Sequence, residues 1–217
     1  MNNIPPNYTV QPKTKIELKA IIKAETGKHG HRCDLNHIDV SLIDNFYLLF
    51  SNSKFNGDIS KWNVSGVKNM NYMFDRSEFN GDISRWDVSR VTGMYGVFQG
   101  SKFNGDISRW DVSSVENMSA TFANSKFNGD ISRWDVSNVT YMNFMFDRSK
   151  FEGDISAWKR CSVSSDDKMF IESEIAKKLG IKNPSFNQVK SYFLGLKLEL
   201  SLQGASPGQS NLGKIRL

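Results

Sequence analysis

Three histidines and a cysteine fall within nine residues, at His29, His31, Cys33 and His37. Imidazole and thiolate are ordinary zinc ligands, and a spacing of two puts the first three on one side of an extended segment. The spacing fits no standard zinc motif, so a polar linker is the expected reading and no metal is assigned. A second group recurs every 24 residues: Asp58, Asp82, Asp106, Asp130 and Asp154. Stacked in register, five carboxylates would repel unless each is neutralised or hydrogen-bonded. Calcium between copies is one solution; turn amides with nearby Arg or Lys are another. The loops lack dense oxygen-ligand spacing, so no cofactor is assigned.

All five tryptophans (Trp62, Trp86, Trp110, Trp134, Trp158) share the same 24-residue phase. Their basic neighbours Lys61, Arg85, Arg109 and Arg133 would complete a stacking platform for single-stranded nucleic acid or sugars, were the indoles exposed. Burial is the competing expectation, because alternation along a strand ties Trp62 to Val64 on one face. No Ser/His/acid grouping, phosphate-binding glycine loop or isolated acid pair occurs, so the chain is not expected to be an enzyme.

The elements that position these residues follow from the repeat. FNGDISRWDVSNVTYMNFMF runs from Phe127 to Phe146, with close copies from Phe55, Phe79 and Phe103. A frayed copy starts at Phe151, and a degenerate one spans Cys33 to Phe50. Ile59, Trp62 and Val64 have the LxxLxL spacing of a leucine-rich-repeat strand. Val139, Met142 and Phe146 have the spacing of a short helix. The expected fold is an α/β repeat solenoid, leucine-rich-repeat-like, with about six 24-residue strand-turn-helix coils and helical caps. Residues 1–30 would be an extension and a capping helix over 14–26, opened by a Thr14/Glu17 capping box and stopped by Gly27. Residues 31–172 would be the solenoid. Residues 173–202 would be a C-terminal helical cap, with helices over 168–179 and from Ser185, the latter under a Ser185/Gln188 capping box. Residues 203–217 read as a disordered tail.

Comparing copies separates what stacking dictates from what it leaves free. Phe55, Ile59, Trp62, Val64, Val67, Met70 and Phe74, with their counterparts, are the expected core. Gly57 and its copies imply a special conformation or a close approach that Cβ forbids. Asn56, Asn80, Asn104 and Asn128 can form a hydrogen-bonded ladder. Outside the core, Lys61, Arg85, Arg109 and Arg133 form one outward column and Asn63, Asp87, Asp111 and Asp135 the next. Tyr47, Tyr72, Tyr95, Tyr141 and Phe144 are placed on the outward helix face. Gly96, Ser119 and Ala120 occupy corresponding sites elsewhere, so the stack does not demand a ring there.

The net charge of +5 is mild and does not describe a nucleic-acid polycation. No apolar run is long enough to span a bilayer. The N-terminus has no apolar segment of the secretory kind, and the two cysteines, Cys33 and Cys161, lie at opposite ends of the array. A cytoplasmic location with free thiols is therefore expected. The repeat, together with PKTKIELKAII followed by CDLNHIDVS, resembles the BspA-like leucine-rich-repeat proteins, also found in mycoplasma surface lipoproteins. The resemblance covers roughly residues 12–172. It implies a bacterial origin, a curved leucine-rich-repeat fold and a secreted or cell-surface protein that binds other proteins. The expected function is a non-enzymatic bacterial protein-binding scaffold, adhesin- or effector-like or of the immunity type. It would be a monomer whose partner is another protein. The alternative is nucleic-acid or glycan binding through the Trp/Arg columns.

Overall fold

A computed structural model of the chain describes residues 8–159 and 168–204. The 24-residue copies stack in register, but not as strand-turn-helix coils. Among the described residues there are three helices, all outside the repeats: α1 (Lys15–His29), α2 (Glu174–Leu179) and α3 (Phe186–Gly204). There is no sheet. Extended pairing is limited to isolated parallel bridges, such as Asn45–Asn69, Asn69–Gly93, Gly93–Asn117 and Asn117–Tyr141. The α/β leucine-rich-repeat solenoid is thus overturned; each coil is a succession of turns.

The destination of the backbone N–H groups explains why. In the segment read as a short helix, alternate amides leave the coil. Met118, Ala120, Phe122 and Asn124 donate to the carbonyls of Tyr141, Asn143, Met145 and Asp147, at 2.7–2.9 Å. The amides between them close local turns three residues back, as Thr121 does to Met118 and Ala123 to Ala120. An α-helix needs every amide to reach four residues back, so the stack and the helix compete for the same donors, and the stack wins. The segment read as a strand bends for a related reason: Trp62 N–H bonds Ile59 O and Val67 N–H bonds Val64 O, both three-residue turns.

The side chains sort as the repeat implied. Phe55, Ile59, Trp62, Val64, Val67, Met70, Phe74 and their copies form one continuous core. Successive Phe50, Phe74, Phe98, Phe122 and Phe146 rings stack 5.6–5.7 Å apart. Gly105 is dictated by close approach: a Cβ there would lie 2.9 Å from the Phe103 ring. The asparagine ladder is present, with Asn80, Asn104 and Asn128 amides each bonding the preceding asparagine's Oδ1 at 2.7–2.8 Å, and Glu152 N–H continuing it.

Helices close both ends. Thr14 caps α1 through the Glu17 amide, while the Glu17 carboxylate reaches Lys13 N–H, one residue before the cap. Leu18 and Ile22 enter the core. The helix runs through Gly27 and stops at Gly30, whose φ is 82°. At the far end, 168–172 are turns, so the expected 168–179 helix shortens to α2, which ends at left-handed Gly180 as read. The Ser185/Gln188 box is reciprocal, at 3.3 and 2.8 Å. Lys150–Glu174, Lys178–Glu152 and Lys197–Asp154 ion pairs fasten this cap to the last coil. No described helix is long and apolar enough to cross a membrane. Cys161 and residues 205–217 of the expected tail lie outside the described residues.

Candidate functional site

The acidic column is committed to the fold. Asp58, Asp82, Asp106 and Asp130 accept the Ser60, Ser84, Ser108 and Ser132 amides at 2.9 Å, and Asp154 accepts Ser156 N–H at 2.7 Å. Those amides, then the serine hydroxyls, hold Asp82, Asp106 and Asp130 below the usual carboxylate pKa. Burial works against ionisation at Asp154, and the Lys197 ammonium with Ser156 overcomes it. Backbone donors thus answer the like-charge problem. Asp87, Asp111 and Asp135 do the same work one turn later, toward Ser89, Ser113 and Ser137.

Lys61, Arg85, Arg109 and Arg133 point outward and are exposed. Arg85, Arg109 and Arg133 sit close enough to lower the pKa of Asp82, Asp106 and Asp130, yet none makes a direct ion pair with them. Among the described residues no hydrogen bond or ion pair occupies their guanidinium donors. The indoles beside them are buried: Trp62, Trp86, Trp110, Trp134 and Trp158 are only 1–4 % exposed. Each Nε1–H donates inward, as Trp110 does to Ile83 O at 3.0 Å. No indole face is presented to a base or sugar, so the stacking platform is absent.

The histidine cluster is not drawn together as ligands. His29 and His37 each place Nε2 3.9 Å from the Glu25 carboxylate. Burial, more than the neighbouring Glu25 and Asp34 carboxylates, pushes the Cys33 thiol pKa up. No group of three potential ligands converges among the described residues.

The aromatic positions form an edge built from turns, not a helix face. Tyr47 meets Tyr72 edge-on at 6.3 Å, and Tyr72 meets Tyr95 at 4.9 Å. Burial, then its hydrogen bond to Tyr95, raises the Tyr72 phenol pKa. Ser119 and Ala120 follow one coil on, and beyond them lie Tyr141 and Phe144. Tyr47, Tyr141 and Phe144 are 39–46 % exposed. Lys15 sits over the Tyr47 ring at 5.2 Å, and Lys168 over Phe144 at 5.7 Å, so a cation stands at each end.

The backbone under this edge carries a feature the residue types alone did not suggest. Leu48, Tyr72, Gly96, Ala120, Phe144 and Lys168, one per coil, all have φ between 55° and 59°. A second such column holds Asn52, Arg76, Gly100, Asn124, Arg148 and Glu172. Left-handed backbone is glycine's natural territory, and a bulky residue there is strained. The glycines at 96 and 100, with the repeat phase, were the available signal.

Comparison with known proteins gives one match. The family described as Mycoplasma protein of unknown function, DUF285, matches residues 19–126 and, in an overlapping segment, 77–183. No curated protein and no solved structure matches.

Proposed function

Since the chain belongs to the DUF285 family of Mycoplasma proteins of unknown function, we propose that it is a non-enzymatic bacterial protein-binding scaffold of the adhesin, effector or immunity type. The observation that carries this is the left-handed column. The fold fills it with glycine at Gly96 and alanine at Ala120, yet holds aromatic rings at Tyr72 and Phe144, where the backbone is strained. Strain kept where folding does not require it points to use. Tyr47, Tyr72, Tyr95, Tyr141 and Phe144 supply rigid aromatic anchors spread over several coils, the composition of an interface hot spot. The exposed Arg85, Arg109 and Arg133 guanidiniums steer an acidic partner and raise its association rate, while the aromatic edge supplies the affinity. The repeat's resemblance to BspA-like surface proteins, which bind other proteins, supports the same reading.

The test is capture of partners from the native host or its target cell with wild type and two triple variants. Tyr72→Gly, Tyr95→Ser and Phe144→Gly copy residues that the same columns already carry, so the fold is retained. This variant loses the partner. The Arg85, Arg109 and Arg133→Glu variant slows association, and the deficit shrinks as salt rises. Equal recovery by all three proteins refutes both faces.

A further inference from the structure

Met70 to Ser77 spell MNYMFDRS, and Met142 to Ser149, three coils on, spell MNFMFDRS. The two differ by one ring hydroxyl. The same segment is FYLLFSNS, MYGVFQGS and MSATFANS in three other coils, so stacking demands Phe74 and Ser77 with their counterparts but not the set of aromatic, Asp and Arg. In both copies the aspartate, Asp75 or Asp147, has a buried Oδ1 that accepts no hydrogen bond among the described residues. In both, the ring and the arginine sit on left-handed backbone: φ is 55° at Tyr72, 50° at Arg76, 57° at Phe144 and 49° at Arg148. A strained set that occurs twice, where glycine serves at 96 and 100, points to use.

The copies differ in what faces them from the next coil. Lys168 stands over the Phe144 ring at 5.7 Å, and Arg148 Nε–H donates to Glu172 Oε2 at 3.0 Å. The counterparts facing Tyr72 and Arg76 are Gly96 and Gly100. The backbone is alike, with φ 62° at Gly100 and 53° at Glu172. A Cβ on Gly100 would lie 3.1 Å from Arg76 Cγ, so position 100 faces Arg76 as position 172 faces Arg148, but with no side chain to offer. Arg76 is exposed, and beyond the charge of neighbouring Asp75 no hydrogen bond or ion pair among the described residues engages its guanidinium. Asp75 does not saturate it: Asp147 lies 4.0 Å from Arg148 Nε, and Arg148 still binds Glu172. We propose that Arg76 is the docking point for a carboxylate on an acidic segment of the partner protein, which supplies from outside what Glu172 supplies to Arg148 from within. On the protein-binding reading, which this presupposes, the partner is therefore acidic where it meets the aromatic edge. An exposed ion pair contributes little by itself. A partner seated across Tyr72 and Tyr95 shields this one from water, and the contact then discriminates acidic from neutral segments.

A displayed library of random dodecapeptides, panned on the full chain, tests this. Wild type enriches peptides rich in Asp and Glu. Arg76→Gln weakens their binding about tenfold, the loss expected of a hydrogen bond to a charged group. Lys23→Gln, an equal change of charge at an exposed position of α1, leaves them bound. Gly100→Glu supplies the carboxylate from within and weakens them as Arg76→Gln does, whereas the neutral Gly100→Gln does not. Glu172 and Arg148 already occupy this backbone conformation, so the variants fold, which their melting temperatures check. The arginine Nε–H resonances report without any ligand: Gly100→Glu moves that of Arg76 toward the hydrogen-bonded position of Arg148. A library without acidic enrichment, acidic peptides lost equally with Lys23→Gln, or an Arg76 resonance indifferent to Gly100→Glu would each overturn the proposal. Peptides that need Tyr72 and Phe144 but not Arg76 would overturn it too, while leaving the aromatic edge standing. Peptides that need Arg76 yet survive Tyr72→Gly and Phe144→Gly would support the carboxylate site and refute the edge.

Discussion

Trp110→Ala is the most informative single substitution in the stack. The indole is 3 % exposed, its ring centroid lies 6.1 Å from that of Phe98, and its Nε1–H donates to Ile83 O at 3.0 Å. Truncating a buried Trp to Ala costs about 3–5 kcal/mol in lost transfer energy and cavity. The lost hydrogen bond adds only about 1 kcal/mol, because Ile83 O keeps the Trp86 N–H at 3.2 Å. The sum, roughly 4–6 kcal/mol, rivals the about 5–15 kcal/mol total stability of an ordinary domain. Trp110→Phe retains a ring and isolates the smaller contributions, at about 1–2 kcal/mol. Urea unfolding followed by far-UV circular dichroism measures both. An alanine variant that loses less than about 1 kcal/mol would mean that the tryptophan column is not core.

Gly105→Ala should lower stability by about 1–3 kcal/mol in the same assay, because the new Cβ meets the Phe103 ring at 2.9 Å and that ring is buried. Arg76→Gly should be neutral or raise stability by up to about 1 kcal/mol, since φ is 50° there, whereas Arg76→Val should lower it. Asp82, Asp106 and Asp130 have depressed pKa values when folded, so their contribution is present above the ordinary aspartate value of about 3.9 and is lost as pH falls through and below it. Burial raises Asp75 and Asp147, which contribute with the opposite sign. Converting Asp82, Asp106 and Asp130 to Asn keeps the turn acceptor, as Asn63 already does for Ser65, and should flatten the acid limb of the stability profile.

The 24-residue phase made the columns legible before any coordinates. Trp62 and Val64 face inward and Lys61 and Asn63 outward, and the asparagine ladder and the glycine close approach follow from the same phase. Side-chain spacing does not reveal where an amide donates. Val139, Met142 and Phe146 suit a helix by spacing, yet Phe146 N–H bonds Met169 O in the next coil. That choice is non-local, so it turned the expected strand and helix into turns. The candidate site was legible as a set of variable outer aromatics. Its left-handed backbone was not, because Tyr72, Ala120 and Phe144 do not look like glycine positions. The tryptophans are core and not platform, because the face they share with Val64, Val88 and Val112 is buried and the opposite choice would bury Lys61 and its counterparts without partners.

Site-directed photocross-linking tests the aromatic edge most directly. A benzophenone side chain in place of Tyr95, on the edge, is compared with one in place of Arg109, in the steering column, with each protein incubated in lysate of the native host or its target cell. The account predicts a discrete protein adduct from position 95, lost when Tyr72→Gly and Phe144→Gly are added, and none from position 109. An adduct from 109 alone, or one from 95 that survives those two substitutions, would contradict it.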